Sequence, residues 1–594
     1  MPVMKTFNII SLYVVSLLLL VGCNDNFLER YPTDKLSPQT YFQNENDFRV
    51  YTNGFYIMLP TGADIYQTER ADNIVSNTQV SEVWGTRLVP TTDSNWDWSD
   101  LRKINFLLTN ENAINFSNTT IRNKYFGMAK FFRALFYFEK VKRYGDVPWY
   151  SVVIESNDTK NLMKPRDSRV LVVDSILADL DFAIAYLSEE KNIELINKWT
   201  ALALKSRVCL YEGTFRKYHT ALNLPDATKL LTEAADAANE IMISNKFSIY
   251  NKTTGPSGKP YQDLFASLNA NDVAEEVILT RRYSFELNIK HGVQFYLISK
   301  TSGRPGLEKR LVNSYLMNDG TPFTNIAGYD TLAFYDEMKN RDPRLAQTIR
   351  TPGYKRIGDS RALAPDFSAT MTGYQIIKYL NIPKYDGPTQ SFQDIHIFRY
   401  GEVLLNYTEA KAELETLTQD DINKSIKLLR DRVGMPNLNM AVANANPDPY
   451  QSNLYRNVSG TNKGVILEIR RERRIELVME GNNRWDDIMR WKEGQILVED
   501  FKGLYFRGEG EYDLDKNGTT DVVIYTGENP PPTTSDNIFY LPLNSLSGNG
   551  KGNYLPHKGS VKVFDEVKDY LYPLPVEDRV LNPNLTQNPG WPLQ

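Results

Sequence analysis

Cysteine is almost missing from this chain: its 594 residues include two, Cys23 and Cys209. A disulfide framework is therefore excluded, and a chain of this length can bury most of its apolar surface without covalent staples. Histidine is nearly as scarce. The four present, His219, His291, His396 and His557, are scattered and form no pair at metal-ligand spacing, so no metal centre is expected of them. Neither sign of charge dominates, because 68 basic residues against 73 acidic ones leave a net charge of −5. A face able to neutralise phosphates is not in prospect, which sets nucleic acid aside as a partner. The apolar stretch at residues 7–21 is shorter than the roughly 18–20 residues that span a bilayer.

That stretch follows Lys5 and closes as Leu20-Val21-Gly22-Cys23. A positive start, a short apolar run and small residues before a cut mark a secretory signal peptide. The ending resembles the bacterial lipobox. Residues 1–22 are expected to be removed and Cys23 to carry lipid, whose acyl chains contribute about 0.8 kcal/mol per buried CH₂ to membrane attachment. Cys209 lies in a helical, apolar context and reads as a small buried hydrophobe.

What the chain has in quantity is aromatic side chains, 12% of residues, with 35 tyrosines among them. Rings with a polar tip suit wet binding surfaces. It also has helical periodicity. Phe131, Ala134, Leu135, Phe138 and Val141 share one face of a helix that should stop at Gly145. Val173 to Ile184, Ala201 to Tyr211 and Leu230 to Ile241 repeat the pattern, the last with Asp226 as N-cap. Val403, Tyr407, Ala410 and Leu414 form another such face, then Ile422, Ile426, Leu429 and Val433 ended by Gly434. Paired amphipathic helices predict a mainly α, tetratricopeptide-like scaffold. Residues 51–100, 250–320 and 500–594 are instead rich in Gly, Pro, Asn, Asp and aromatics, with short strand-like runs at 276–279 and 522–525. Long irregular segments are usually functional, so these loops are expected to form the working surface. After the signal, an N-terminal half at 23–245 and a C-terminal half at 246–594 are expected to make one folded unit.

Several motifs resemble one family. They begin with Cys23-Asn24-Asp25-Asn26-Phe27-Leu28-Glu29-Arg30-Tyr31-Pro32-Thr33 and continue with Arg133-Ala134-Leu135-Phe136-Tyr137-Phe138 running into Tyr144-Gly145-Asp146-Val147-Pro148. Asn340-Arg341-Asp342-Pro343-Arg344-Leu345, Arg399-Tyr400-Gly401-Glu402 and Arg471-Glu472-Arg473-Arg474-Ile475-Glu476 through Arg484-Trp485-Asp486-Asp487 follow in order, as does Leu571-Tyr572-Pro573-Leu574-Pro575 near the end. As a set they are similar to the SusD/RagB family of nutrient-uptake lipoproteins. The resemblance implies helical pairs packed with a loop-rich half, no catalysis and no cofactor. It implies a lipid-anchored, surface-exposed protein of the cell outer membrane that captures a glycan and passes it to a TonB-dependent, SusC-like transporter. A peptide ligand, as in RagB-like members, is the alternative, and a glycoside hydrolase a more distant one.

The residues themselves speak to the last point. Glu472, Glu476 and Glu480 recur every four residues on one helix face. Arg470, Arg471, Arg473, Arg474 and Arg484 surround them, and cations hold carboxylates ionised where a general acid needs the reverse. An ion-pair network is the expectation. Asp513, Asp515, Asn517 and Asp521 partly match a calcium loop, but Ile524 stands where its bidentate Glu belongs, so a hairpin turn is favoured. Sugar binding asks for flat rings beside planar polar groups. Two loop regions supply both. Asp72, Trp84, Arg87 and Trp96 come from the first, Tyr283 and Tyr296 from the second; these six are the expected carbohydrate-binding residues. Trp149, Trp485 and Trp491, inside scaffold motifs, are assigned to the core.

Overall fold

All but one of the helical patterns in the sequence become single helices. A computed structural model describes residues 41–592 apart from 68, 70, 112, 113, 115, 533, 534, 536 and 537. The signal segment 1–22, the lipid-bearing Cys23 and the family motif at 23–33 lie outside the described residues. The scaffold begins with α1 (Thr119–Tyr144), capped by the Asn118 side chain and closed at Gly145, whose φ of 73° a Cβ would oppose. Ser168 caps α2 (Arg169–Tyr186), and Asn197 with Thr200 forms a capping box on α3 (Lys198–Tyr218). In α4 (Thr228–Ile243) the cap position is Ala227, one residue beyond the expected Asp226, whose carboxylate still accepts the Thr228 N–H at 2.8 Å.

These helices pack in pairs, α1 on α2 and α3 on α4, with α5 (Tyr400–Glu413) set between α4 and α6 (Lys463–Glu476). Phe131, Phe138, Ile176, Leu204, Ala234 and Leu404 fill the shared core. The mainly α, tetratricopeptide-like expectation holds. One helix does not form as read. Residues 419–434 break into Gln419–Asn423 and Ile426–Asp431, because Ser425 leaves helical geometry (φ −131°, ψ −90°) and its hydroxyl bonds back to the Asp421 carbonyl.

The loop-rich half has its own core around Tyr261, Phe265, Leu311, Tyr374 and Ile376. Its regular pieces are small. Strand β1 (Val277–Arg281) runs antiparallel to β2 (Ile395–Arg399); β3 (Gly510–Tyr512) forms a hairpin with β4 (Val522–Tyr525), and β5 (Phe539–Pro542) lies parallel to β4. Among the described residues no helix is long and apolar enough to cross a membrane.

Buried ion pairs join the two cores along α6. Glu476 meets Arg399 at 2.9 Å, Arg344 at 3.1 Å and Arg432, while Glu472 takes Arg430 at 2.9 Å. Glu480, just beyond the helix, holds Arg399 at 2.6 Å and Lys378 at 2.7 Å. Burial alone would raise the Glu476 carboxyl, but the Arg432, Arg399 and Arg344 guanidiniums hold it well below the usual range. Removing one partner of such a pair costs about 3–5 kcal/mol, since the other charge stays buried.

Candidate ligand-binding site

Two loop regions far apart in sequence meet in one cleft. The short helix Gly62–Tyr66 delivers Tyr66, and the turn Ser81–Trp84 delivers Trp84. Between them Ile74–Val75 pairs antiparallel with Gly306–Leu307, which brings the second region alongside, and Asn77 N–H reaches the Gly303 carbonyl at 2.8 Å. The helix Val293–Ile298 then sets Tyr296 against Tyr66, ring centroids 5.6 Å apart. The result is an open concavity of about 430 Å³ walled by Tyr66, Tyr296, Trp84 and Phe501, with Gln67, Ser76 and Thr78 at its polar edge.

Two glycines shape this cleft. At Gly303 (φ 69°) a Cβ would stand 2.2 Å from the Tyr296 ring, and at Gly85 (φ 68°) 2.0 Å from the Val563 carbonyl. The first lets the chain lie against the ring; the second lets residues 561–563 close behind Trp84. Glu69, at the floor, accepts from Asn73 Nδ2 and from the Met479 N–H, and burial pushes its carboxyl up to about 7 against those hydrogen bonds.

The six expected residues are placed unequally. Trp84 and Tyr296 share the cleft, Trp84 at 6% exposure and Tyr296 half-buried. Tyr283 stands behind the wall. Its hydroxyl accepts the Gly62 N–H at 2.6 Å, and so it supports the helix that carries Tyr66. The other three are structural. Asp72 is fully enclosed and ion-paired to Arg474 and Arg484 at 2.7 and 2.6 Å. Arg87 is buried on Asp569 at 2.9 Å and beneath the Tyr572 ring at 4.5 Å. Trp96 packs edge-on to Tyr144, 4.8 Å away, inside the helical core. Composition around a loop did not separate its inward from its outward side chains. The cleft also contains Tyr66 and Phe501, which the sequence did not single out; no pattern marks them, because contact with Trp84 and Tyr296 is tertiary.

Trp485 and Trp491 are buried as expected, and Trp149 lies against Tyr137 at 4.2 Å. Each histidine bonds a backbone carbonyl through Nε2: His219 to Met489, His291 to Gln393, His396 to Leu264 and His557 to Ser76. Burial pulls the first three imidazoles down to about 4, so they are neutral structural groups. Cys209 is fully enclosed, and burial pushes its thiol far up.

The favoured hairpin is present at β3–β4. Its connection also gathers Asp513, Asp515 and Asp521, with carboxylate oxygens within 4.8 Å of one another, the group among the described residues that could hold a cation. Asp513 instead accepts the N–H groups of Asn517 and Gly518, at 3.1 and 2.7 Å, as a turn residue does.

A model of the SusD family matches residues 294–591, and one described as starch-binding and associating with the outer membrane matches residues 48–210. Two SusD-like proteins of Formosa agariphila are similar: one is 25% identical, with 84% of this chain and 94% of that protein aligned, the other 24% identical over 98% and 99%. Among solved structures, a SusD-like protein of Bacteroides fragilis superposes with a TM-score of 0.66 at 21% identity, covering 95% of this chain and all of that one. A SusD-like carbohydrate binding protein of the same organism gives 0.66 at 21% identity over 92% of this chain and all of its own.

Proposed function

This chain belongs to the SusD family, and we propose that it is an outer-membrane lipoprotein that binds a glycan in the Trp84–Tyr296 cleft and passes it to a TonB-dependent transporter. One observation carries the reading: rings from two separate loop regions converge on a shallow concavity edged by Gln67, Ser76 and Thr78. Stacked C–H faces and planar hydrogen-bonding groups are what a sugar requires. A relative of known fold, named as carbohydrate binding, supports the class of ligand. The family description supports the outer membrane as the location.

Binding without turnover is the reading we favour for α6: against burial, Arg344, Arg399, Arg430 and Arg432 hold Glu472 and Glu476 below the ordinary carboxyl range, where a general acid needs the reverse. Glu69, the raised carboxyl at the cleft floor, is taken up by Asn73 and the Met479 N–H. Affinity gels loaded with a panel of polysaccharides are the test. Retardation by at least one, with no release of reducing ends, is expected; failure across the panel alongside retention on peptide libraries would overturn the reading. A tethered binder gains effective concentration at its transporter without tight affinity. Mild-detergent extracts should therefore yield the two proteins together when either is tagged, and recovery of this protein alone would leave a free-standing binder.

A further inference from the structure

Trp84 also lines a second cleft, together with Asp500, His557, Lys558, Ser560 and Lys562. Its donors outnumber its acceptors. Trp84 is buried, and among the described residues its indole N–H has no hydrogen-bond partner. Lys562 is 7% exposed, and its ammonium donates to the Glu499 carbonyl and rests 3.6 Å above the Phe501 ring. Among the described residues it forms no ion pair. Three N–H groups on a buried cation, served by one carbonyl and the rings of Phe501 and Trp84, leave it short of compensation. Burial lowers this ammonium to about 8, Arg310 adds to the effect, and Glu308 and Asp500 oppose it from beyond ion-pair distance.

The neighbours add to the imbalance. Lys558, at the rim, donates to the carbonyls of Asn544 and Leu546 at 2.7 and 2.6 Å and brings a second positive charge. His557 Nε2 donates to the Ser76 carbonyl at 2.8 Å, and burial keeps its ring neutral. Asp500 is exposed at the edge, so the cleft is net positive in a chain that is net negative. The Lys562 ammonium lies 5.8 Å from the centroid of the Trp84 ring, and an unpartnered indole N–H with an uncompensated ammonium lining one cleft call for a group that accepts hydrogen bonds and carries negative charge. A neutral hydroxyl meets the first demand and fails the second.

We infer that this second cleft is a subsite for an anionic substituent, a carboxylate or a sulfate, on a sugar adjoining the one held at Tyr296. The inference rests on the glycan reading and narrows it to acidic polysaccharide. Trp84, common to both clefts, fixes the two subsites next to each other.

Immobilised mature protein is loaded with a mixture of solubilised plant and algal cell-wall polysaccharides, and uronate plus sulfate per sugar is measured in the applied and retained material. Charge-assisted hydrogen bonds predict roughly tenfold enrichment of acidic sugar in the retained fraction. Lys562→Met should abolish the enrichment while still retaining glycan, and Lys562→Arg should keep it. Retained material no more acidic than the input overturns the subsite and leaves glycan binding standing. Retention of nothing overturns the glycan reading and the subsite with it. Should Lys562→Met not fold, the wild-type enrichment alone decides. Desulfation or carboxyl reduction of the retained polysaccharide, followed by a second passage, tells sulfate from carboxylate.

Discussion

Arg484 grips both oxygens of Asp72, Nε to Oδ1 at 2.6 Å and Nη2 to Oδ2 at 3.0 Å, across 412 residues of sequence. Arg474 adds a third contact at 2.7 Å. The loop that leads to Trp84 is thereby fastened to the helical scaffold. Burial opposes the charge on Asp72, yet the two guanidiniums hold its carboxyl well below the usual range.

Asp72→Asn should therefore act through stability. It leaves two buried guanidiniums facing a neutral amide, and a loss of about 3–5 kcal/mol is expected in chemical denaturation. Sugar affinity of the folded fraction should fall as well, since the loop is released. Unchanged stability with lost affinity would make Asp72 a ligand contact after all.

Trp96→Ala and Tyr296→Ala should part company. Trp96 is in the helical core, where truncation typically costs about 3–5 kcal/mol, and glycan affinity should stay as it was. Tyr296 is half-buried at the cleft, so its variant should lose affinity with a much smaller change in Tm. Trp84→Phe keeps most of the packing and removes the indole N–H; weaker binding at near-native Tm is expected. Affinity gels beside thermal melts distinguish all three.

The hairpin connection gives a pH signature. Burial, with Asp515 and Asp513 nearby, raises the Asp521 carboxyl to about 6 from an ordinary 3.8. A raised acid contributes its stability below the unfolded pKa and loses it as pH climbs through 6. Asp521→Asn should thus gain in Tm relative to wild type between pH 4 and pH 7. A difference that stays constant across that range would mean the carboxylates do not crowd one another.

Lipidation is tested directly. Labelled palmitate should enter the wild-type protein and not Cys23→Ala, and the variant should leave the membrane fraction. Label in both would remove the anchor from the account.

Much of the scaffold was legible because one-dimensional periodicity is what a helix face is. Gly145 stopped its helix, and Glu472, Glu476 and Glu480 did enter an ion-pair network, but with Arg344, Arg399, Arg430 and Arg432 from distant segments; the flanking Arg470, Arg471, Arg473, Arg474 and Arg484 pair with other acids. Local chemistry at Ser425 was missed, since a hydroxyl that bonds its own backbone leaves the apolar spacing intact. Two residues of the candidate cleft, Trp84 and Tyr296, were legible in the sequence, because loops with rings and polar groups were taken as the working surface. Asp72, Arg87 and Trp96 have the same composition but turn inward, and that direction is fixed by Arg484, Asp569 and Tyr144, all distant in sequence. Lys562 carries no local signal, and its meaning depends on which carboxylates fail to reach it.

The ion pairs along α6 also set an order of events. Pairs such as α1 with α2 close over short stretches of chain and pay little loop entropy, so they can form early. Glu476 must wait for Arg344 and Arg399, and Asp72 for Arg484, before either charge is compensated. These long-range pairs are therefore expected to close after the local helical pairs. Stop-flow refolding should show helix appearing ahead of the ordered cleft, with the lag lengthened by Asp72→Asn.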